Sequence, residues 1–207
     1  QVFREVPTRL TDLLSRIIEH GPYEMPFDPI ELGDLFDKAS AVFGEENSLV
    51  EVGHEVSIIG NLEGSYIDLF RWFMIYGWPP TAKYVFLGGA IHPENPYSLE
   101  VFALLCALKV RLPNHVYLIR GAAEGLPLCL GDRYPPRITE AIQAVAAKAL
   151  SRLPLAATIG KSVLCVHSAL PPQIKTIEEI NMIHRPLRSF SKDSLESYLI
   201  NSVPDDV

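Results

Sequence analysis

Residues 54–121 read HEVSIIGNLEGSYIDLFRWFMIYGWPPTAKYVFLGGAIHPENPYSLEVFALLCALKVRLPNHVYLIRG, and this stretch decides the fold. Three short apolar runs in it end in glycine or Arg-Gly, as strands before tight loops do: residues 55–59, 84–87 and 116–119. Between them, residues 66–76 and 99–111 carry apolar side chains at helical spacing. This β-α-β-α-β order predicts a mostly parallel sheet with right-handed crossovers. Ligands of such sheets bind at the carboxyl ends of the strands, so the loops after the three strands are the candidate site.

Helical patterns precede this stretch, and mixed patterns follow it. Residues 11–18 and 28–43 are predicted helices that form an N-terminal helical cap over residues 1–50. The later predicted elements are a helix at 138–150, strands at 153–159 and 162–166 joined by a turn at Gly160-Lys161, and a short helix at 176–183. We assign residues 51–187 to an α/β core and residues 188–207 to a polar, serine-rich tail that is partly disordered, all within one structural domain.

The composition is that of an ordinary globular protein. The chain has 207 residues, of which 48% are hydrophobic and 21% charged, so it can bury a core without disulfides. The three cysteines, Cys106, Cys129 and Cys165, form no C-x-x-C pair. We therefore expect them to be reduced, small hydrophobic side chains and not a metal or redox site.

The charge and the absence of long apolar runs limit the classes of partner. A net charge of −7 argues against a nucleic-acid partner and does not attract phosphate esters unless a local basic pocket overrides it. No run approaches the roughly 18 apolar residues that span a bilayer. The first residues, QVFREVPTRL, show no signal-peptide pattern. We expect an intracellular protein of the cytoplasm, the nucleus or both, with no nucleic acid, membrane or small-molecule substrate.

Five segments carry a resemblance to a known family. They are VSIIGNLEGSYIDLFRWF, KYVFLGGAIHPENPYSLE, VYLIRGAAEG, LPLAATIGKSVLCVHSALPP and IEEINMIHRP. In order and spacing they resemble the serine/threonine phosphoprotein phosphatases, most of all the type-1 members. The resemblance implies the calcineurin-like metallophosphoesterase fold, a β-sandwich flanked by helices around a β-α-β-α-β core. Members of this family bind two metal ions with side chains from the strand-end loops, and a metal-bound hydroxide attacks phosphorus.

The first two loops depart from the family pattern. The loop after the first predicted strand reads GNLEG where the family has GDxHG, so Asn61 replaces a ligating aspartate and Glu63 a histidine. The second loop reads GGAIHPE where the family has GDxVDRG. There Gly89 replaces the aspartate that bridges the two ions. His92 replaces the second aspartate, and Pro93 replaces the arginine that grips the phosphate.

The third loop departs as well, and only the fourth keeps its ligand. The third reads GAAE where the family has GNHE, so Ala122 replaces an asparagine ligand and Ala123 the histidine thought to protonate the leaving group. His167 of VHSAL matches a family ligand. Arg120 and Glu124 are retained from the third motif, and we interpret them as a structural ion pair or a loop anchor.

These changes predict a catalytically inactive pseudophosphatase that acts as a protein-interaction scaffold or adaptor, with no catalytic, metal or cofactor site. Glycine and alanine offer no donor atoms, and hard divalent ions need a shell of several donors. Two alternatives stay open: a weak single-metal phosphoesterase built on Asn61, Glu63 and His167, and a phosphopeptide reader that uses the former cleft. His92, in a proline-flanked loop, has no evident partner to orient it as a base.

The resemblance also implies a C-terminally incomplete fold. Residues 199–206, LINSVPDD, resemble the family's LLWSDPD, beyond which the family has more strands, two metal-binding histidines and a second phosphate-contacting arginine. An open sheet edge and uncovered apolar side chains are liabilities that proteins normally cover. We therefore expect a protein partner or a second copy of the chain to cover this surface.

Overall fold

Two three-stranded sheets form the centre of the computed structural model, which describes residues 8–202. Within those residues the six strands are β1 (Leu49–Val52), β2 (Ser57–Ile59), β3 (Tyr84–Phe86), β4 (Val116–Leu118), β5 (Ala156–Ile159) and β6 (Val163–Val166). One sheet has the order β2-β3-β4 and is entirely parallel. The other has the order β1-β5-β6, with β1 parallel and β6 antiparallel to β5. The predicted β-α-β-α-β core is therefore confirmed.

Helices surround both sheets in the described part of the chain. They are α1 (Thr8–His20), α2 (Pro29–Glu45), α3 (Tyr66–Tyr76), α4 (Ser98–Arg111), α5 (Pro136–Leu150) and α6 (Leu195–Asn201), with 3₁₀ turns at Ala123–Gly125 and Ile177–Met182. The helix predicted at 176–183 is the second 3₁₀ turn. The predicted turn at Gly160-Lys161 joins the antiparallel strands β5 and β6, and both residues have positive φ, as a tight hairpin requires.

Local chemistry explains where two helices begin and end. The Asp28 carboxylate accepts hydrogen bonds from the backbone N–H groups of Ile30 (2.7 Å) and Glu31 (3.3 Å), and Pro29 occupies the first position of α2. Helix α3 ends at Gly77, whose φ of 98° is costly for any residue with a side chain. The predicted bounds of α3 agree with the structure because this stop signal is strong.

Strand β1 is the element that the sequence analysis misses, and it lies across the predicted boundary between cap and core. It has four residues, LVEV, and only Glu51 among them is exposed. A run this short gives no clear alternation, and its parallel pairing with β5 joins residues about a hundred positions apart in the chain. The strand predicted from residue 153 begins only at Ala156, after Pro154, which has no N–H to donate.

Helix α4 is the centre of the main core, and two of its charged residues, Glu100 and Lys109, have no exposed surface. The Lys109 ammonium donates to the carbonyls of Pro113 (2.8 Å) and Val116 (2.9 Å) and pairs with the Glu46 carboxylate. Buried charges are tolerated when they are paired and hydrogen-bonded in this way. The apolar run at 101–108 is therefore surrounded by protein on all sides.

The N-terminal helices share the main core. Leu13 and Ile17 of α1, and Leu35 and Phe36 of α2, are at most 1% exposed and belong to the same cluster as the buried residues of α3, α4 and α5. Helix α2 packs against α4 and α5, and α1 packs against α4. The helices that we predict as a cap therefore pack into the main core.

The segment predicted as a partly disordered tail contains an ordered helix. Leu199 and Ile200 of α6 are at most 2% exposed and pack in a second core cluster with Leu49, Leu155 and Ile180. The two apolar residues of this turn therefore anchor the segment to the β1-β5-β6 sheet. The prediction for residues 203–207 lies outside the described residues.

Cys106 and Cys165 are buried, Cys129 is half-buried, and all three are free thiols. Burial raises the pKa of the Cys106 thiol, which keeps it protonated and unreactive. No helix within residues 8–202 is both long enough and apolar enough to cross a lipid bilayer.

Candidate functional site

The loops that follow β2 and β3 are joined by backbone hydrogen bonds. The Gly89 carbonyl accepts from the N–H groups of Leu62 (2.9 Å) and Glu63 (2.8 Å), and the Ala90 carbonyl accepts from Gly64 (3.1 Å). The Asn95 side-chain amide adds a bond to the Glu63 carbonyl at 2.8 Å. The two loops therefore form one rigid wall of the candidate site at the carboxyl ends of the parallel strands, as the topology predicts.

Asn61 and Gly89 face each other across this wall. Gly89 has a φ of 63°, in the left-handed region that favours glycine. A β-carbon placed on Gly89 would lie 2.6 Å from Asn61 Oδ1 and 2.7 Å from Asn61 Cγ. The Asn61 amide thus lies where a side chain at position 89 would begin. The two positions can hold their present residues together, but a larger residue at 89 requires Asn61 to move.

His167 is held against the glycines that end β3 and β4. Its Nδ1 lies 2.8 Å from the Leu87 carbonyl oxygen, which can only accept, so Nδ1 donates and Nε2 carries the lone pair. A β-carbon on Gly121 would lie 2.6 Å from His167 Cε1, and one on Gly88 would lie 2.5 Å from the Gly121 nitrogen. The close approach of the ring therefore requires glycine at position 121. Histidine ligands in metal sites are oriented by the same kind of bond to a carbonyl.

Glu124 joins the loops after β3 and β4. One carboxylate oxygen accepts from the N–H groups of Gly89 (3.0 Å) and Gly121 (2.8 Å), and the other accepts from Ala90 (2.8 Å). The residue is 3% exposed. Of the two roles left open for Glu124, the structure shows the loop anchor. No ion pair joins it to Arg120 among the described residues.

His92 is committed to its own loop. Its Nδ1 accepts from the Glu94 N–H at 3.2 Å. Its backbone N–H donates to Ser98 Oγ at 2.9 Å, and the Ser98 hydroxyl donates to its carbonyl at 2.7 Å. The half-buried ring stabilises the turn at 92–95. Among the described residues no carboxylate is hydrogen-bonded to the ring to orient it for proton transfer.

The predicted site residues fall into two groups. Asn61, Gly89 and His167 lie around the strand ends, together with Gly121 and Glu124. Glu63 and His92 instead line a shallow, open cavity of about 550 Å³, which also includes Glu94. Pro93 lies in the same loop as His92. Ala122 is exposed and Ala123 opens the 3₁₀ turn, and neither has a polar side-chain atom.

The donor set tests whether the two metal ions of the related phosphatases fit here. Within residues 8–202 there is no group of three or more histidine, cysteine, aspartate or glutamate side chains placed to hold an ion together. Both oxygens of Glu124 are occupied by backbone N–H groups, and Gly89 has no donor. The residues present therefore do not fit a two-metal site of the family's kind.

Arg120 is the residue whose surroundings sequence reasoning did not predict. Its Nη1 donates to the Leu187 carbonyl, and its Nη2 would lie 3.6 Å from a β-carbon on Gly125. Its guanidinium also lies 5.9 Å from the centre of the Phe190 ring. The hydrogen bond to Leu187 joins residues 67 positions apart in the chain, so no local pattern signals it.

Comparisons with known proteins agree with this architecture. Residues 31–206 match the family described as calcineurin-like phosphoesterase. The chain is 33% identical over 175 residues, 76% of its length, to serine/threonine-protein phosphatase BSL2 of Arabidopsis thaliana, and the match covers 17% of that protein. A solved protein serine/threonine phosphatase from Saccharomyces cerevisiae, described as similar to human phosphatase PP5, superposes with a TM-score of 0.77 at 22% identity.

That superposition covers 92% of this chain and 64% of the yeast chain. The chain thus spans less than two thirds of each of these relatives. The predicted calcineurin-like metallophosphoesterase fold is confirmed.

Proposed function

Because this chain belongs to the calcineurin-like phosphoesterase family, we propose that it is a catalytically inactive, serine/threonine phosphatase-like protein that acts by binding, as a scaffold or adaptor in a protein complex. One observation carries the proposal. Gly89, which stands in the place of the family's bridging aspartate, has no side chain, and Asn61 Oδ1 lies 2.6 Å from the position of a β-carbon there. The site has therefore lost the bridging ligand, and a neighbouring residue fills the space.

The other substitutions support the same conclusion. Two-metal hydrolysis needs ligands that generate a hydroxide and groups that stabilise the charge on the departing phosphate. Ala122 and Ala123 have no donor or acid in their side chains, and Pro93 has no guanidinium. Glu124, a carboxylate at the site, uses both oxygens to fix the loops. Hydrogen bonds still hold the loops in place, but the loops no longer carry the metal ligands, the acid and the guanidinium that catalysis needs.

An activity assay tests the proposal. The purified chain is incubated with manganese and an aryl phosphate, beside a His167→Ala variant. We expect the wild type to release no more product than the variant or the buffer, because no donor set generates a nucleophile. Manganese-dependent turnover that the His167→Ala change abolishes would overturn the proposal.

The second candidate function is a weak single-metal phosphoesterase, and the orientation of His167 favours it. Nδ1 donates to the Leu87 carbonyl, so Nε2 is free to bind a metal ion. Asn61 and Glu63 are both exposed and contribute one amide and one carboxylate. Three neutral or singly charged donors on exposed loops are a weak shell for a hard divalent ion, which normally takes about six ligands. This candidate therefore ranks below the first.

A phosphopeptide reader has less support. The cavity beside the former cleft is lined by the carboxylates of Glu63 and Glu94, and Pro93 stands in place of a phosphate-gripping arginine. Phosphate recognition normally relies on guanidinium groups, and nearby carboxylates repel the ligand. Tighter binding of phosphorylated peptides than of their plain forms would contradict what this surface predicts.

The partner of the scaffold is a protein or a second copy of this chain, and β6 is one place where it binds. This strand is the outer member of its sheet, and Val163 on it is 50% exposed. An unpaired strand edge with an apolar side chain can accept a further strand. Light scattering of the purified chain across concentrations tests the homotypic case: a Val163→Lys variant should lower the mass if copies pair through β6. An unchanged mass above that of the monomer would place the contact elsewhere.

A further inference from the structure

A cavity of about 520 Å³ lies between the loop after β4, the outer face of α5 and residues 187–188. Its lining includes Arg120, Glu124, Leu126, Gln143, Ala147, Lys148 and Arg188. Glu124, which anchors the strand-end loops with both carboxylate oxygens, also lines this cavity, as does Gly125 after it. The anchoring of those loops gives no role to the basic and apolar residues of the cavity.

Arg120 is a buried cation with an unsatisfied donor in the wall of this cavity. It is 4% exposed, and its Nη1 donates to the Leu187 carbonyl. Its Nε has no hydrogen-bond partner among the described residues. Both oxygens of the Glu124 carboxylate already accept hydrogen bonds from backbone N–H groups, three in all. A buried cation with an unmet donor is costly, and a carboxylate in the cavity would lower that cost through its negative charge.

The mouth of the cavity combines positive charge with apolar surface. Arg188 is exposed and forms no ion pair within residues 8–202, and Lys148 is held at the surface by Asp37 at 2.8 Å. Leu126 is 49% exposed beside them. In a chain with a net charge of −7, this is a local basic and apolar pocket on an otherwise acidic protein.

The pocket is also rigid before any ligand binds. The Gln143 amide on α5 accepts from the Leu128 N–H at 3.0 Å and donates to the Leu128 carbonyl at 2.7 Å. This two-point bond fixes the loop that carries Leu126 against the helix. A preformed pocket loses less entropy on binding, so its contacts contribute more to affinity.

We propose that this pocket docks a short peptide segment of a protein partner, in which an aspartate or glutamate enters beside Arg120 and Arg188 while an adjacent apolar side chain contacts Leu126 and Ala147. The proposal rests on the proposed function, since it names a surface through which the inactive scaffold binds. A carboxylate matches the site better than a phosphate. A phosphoryl group carries about two negative charges and is normally bound by a cluster of arginines, whereas this cavity has one buried guanidinium.

The test is a selection of linear peptides on the intact chain. A phage library of random 12-residue peptides is selected on the wild type, and the enriched sequences are synthesised and measured by fluorescence polarisation. Binding is then compared in Arg188→Glu and Leu126→Ser, two exposed positions whose substitution leaves the core intact. Arg137→Glu on α5, outside the cavity, is the matched charge control, and Leu170→Ser, 50% exposed, is the matched apolar control.

We expect enriched peptides with an acidic residue next to leucine, isoleucine or phenylalanine. Their affinity should fall at least tenfold in Arg188→Glu and Leu126→Ser and less than twofold in the two controls. Replacing the acidic residue by phosphoserine should not tighten binding. An empty selection, peptides unaffected by the two pocket variants, or tighter binding of the phosphoserine form would each overturn the proposal.

The peptide result and the proposed function fail in different ways. Metal content and phosphatase activity decide whether the chain is inactive, and neither depends on Leu126 or Arg188. Loss of the docking pocket would leave the strand edge of β6 as the binding surface. Discovery of enzymatic activity would leave peptide binding at the pocket unchanged.

Discussion

The amide oxygen of Asn61 lies 2.6 Å from the point where a β-carbon on Gly89 would stand, so each residue depends on the identity of the other. They are 28 positions apart and meet because β2 and β3 are adjacent parallel strands whose loops face each other. In the related phosphatases we expect two metal-ligating aspartates at these positions, on the resemblance of the loops. Here one position has become an amide and the other a glycine, and the amide occupies the space that the second lost.

Gly89→Ala should lower the free energy of unfolding by about 1–2 kcal/mol. The new β-carbon meets Asn61, and alanine is strained at a φ of 63°. Urea denaturation measures the change, with Gly53→Ala as the control because nothing lies within 4 Å of a β-carbon there. Adding Asn61→Ala should relieve the clash but not the backbone strain, so stability should return only in part. Equal stability of Gly89→Ala and wild type would contradict the packing described here.

Glu124→Gln should lower the free energy of unfolding by about 2 kcal/mol, because three backbone N–H groups lose a charged acceptor. The exposed Glu94→Gln is the matched control and should change stability by less than about 0.5 kcal/mol. Amide hydrogen exchange adds a local readout: Gly89, Ala90 and Gly121 should exchange faster in Glu124→Gln alone. Unchanged protection at those three amides would show that the anchor is not needed.

Lys109→Met should lower the free energy of unfolding by about 3–5 kcal/mol, because it leaves the largely buried Glu46 carboxylate without its ammonium partner. The double variant Glu46→Leu, Lys109→Met should recover most of the loss. Lys148→Met removes the exposed pair with Asp37 and should cost at most about 1 kcal/mol. Thermal or chemical denaturation separates the three cases. A double variant as unstable as the single one would mean that the pair is worth more than its desolvation cost.

His115 should make the fold less stable as the pH falls. Burial, with a smaller effect from Lys83, lowers the pKa of this imidazole below its usual 6.5. Between the folded pKa and 6.5 the unfolded chain binds more protons than the folded one, so stability rises with pH through that window and is lost below it. As the pH falls below 6.5, the unfolding free energy of the wild type should therefore fall relative to that of His115→Gln. A pH-independent difference between the two proteins would contradict this expectation. His20→Gln, at an exposed position, serves as the control.

The order of elements was predictable because the stop signals are local. Gly77 and the residues after it end α3, and the hairpin at Gly160-Lys161 requires positive φ at both positions. Strand β1 was not predictable in the same way, since four residues with three buried side chains give no periodic signal. Its identity as a strand comes from β5, which follows it by about a hundred residues.

The location of the candidate site was predictable, and its contacts were not. Motif spacing located Asn61, Gly89 and His167 at the strand ends, where the structure brings them together. No sequence pattern indicates that Asn61 fills the space beside Gly89, or that Arg120 donates to the Leu187 carbonyl. Both facts depend on distances between chain segments, which spacing along one segment does not encode.

Metal content tests the central claim most directly. The purified, tag-free chain is incubated with manganese, desalted, and analysed by inductively coupled plasma mass spectrometry, with His167→Ala treated in parallel. We predict a manganese content near zero and equal in the two proteins, because the donor set around Gly89 is incomplete. About one or two ions per chain in the wild type, lost in His167→Ala, would contradict the claim that this phosphatase fold works without a metal site.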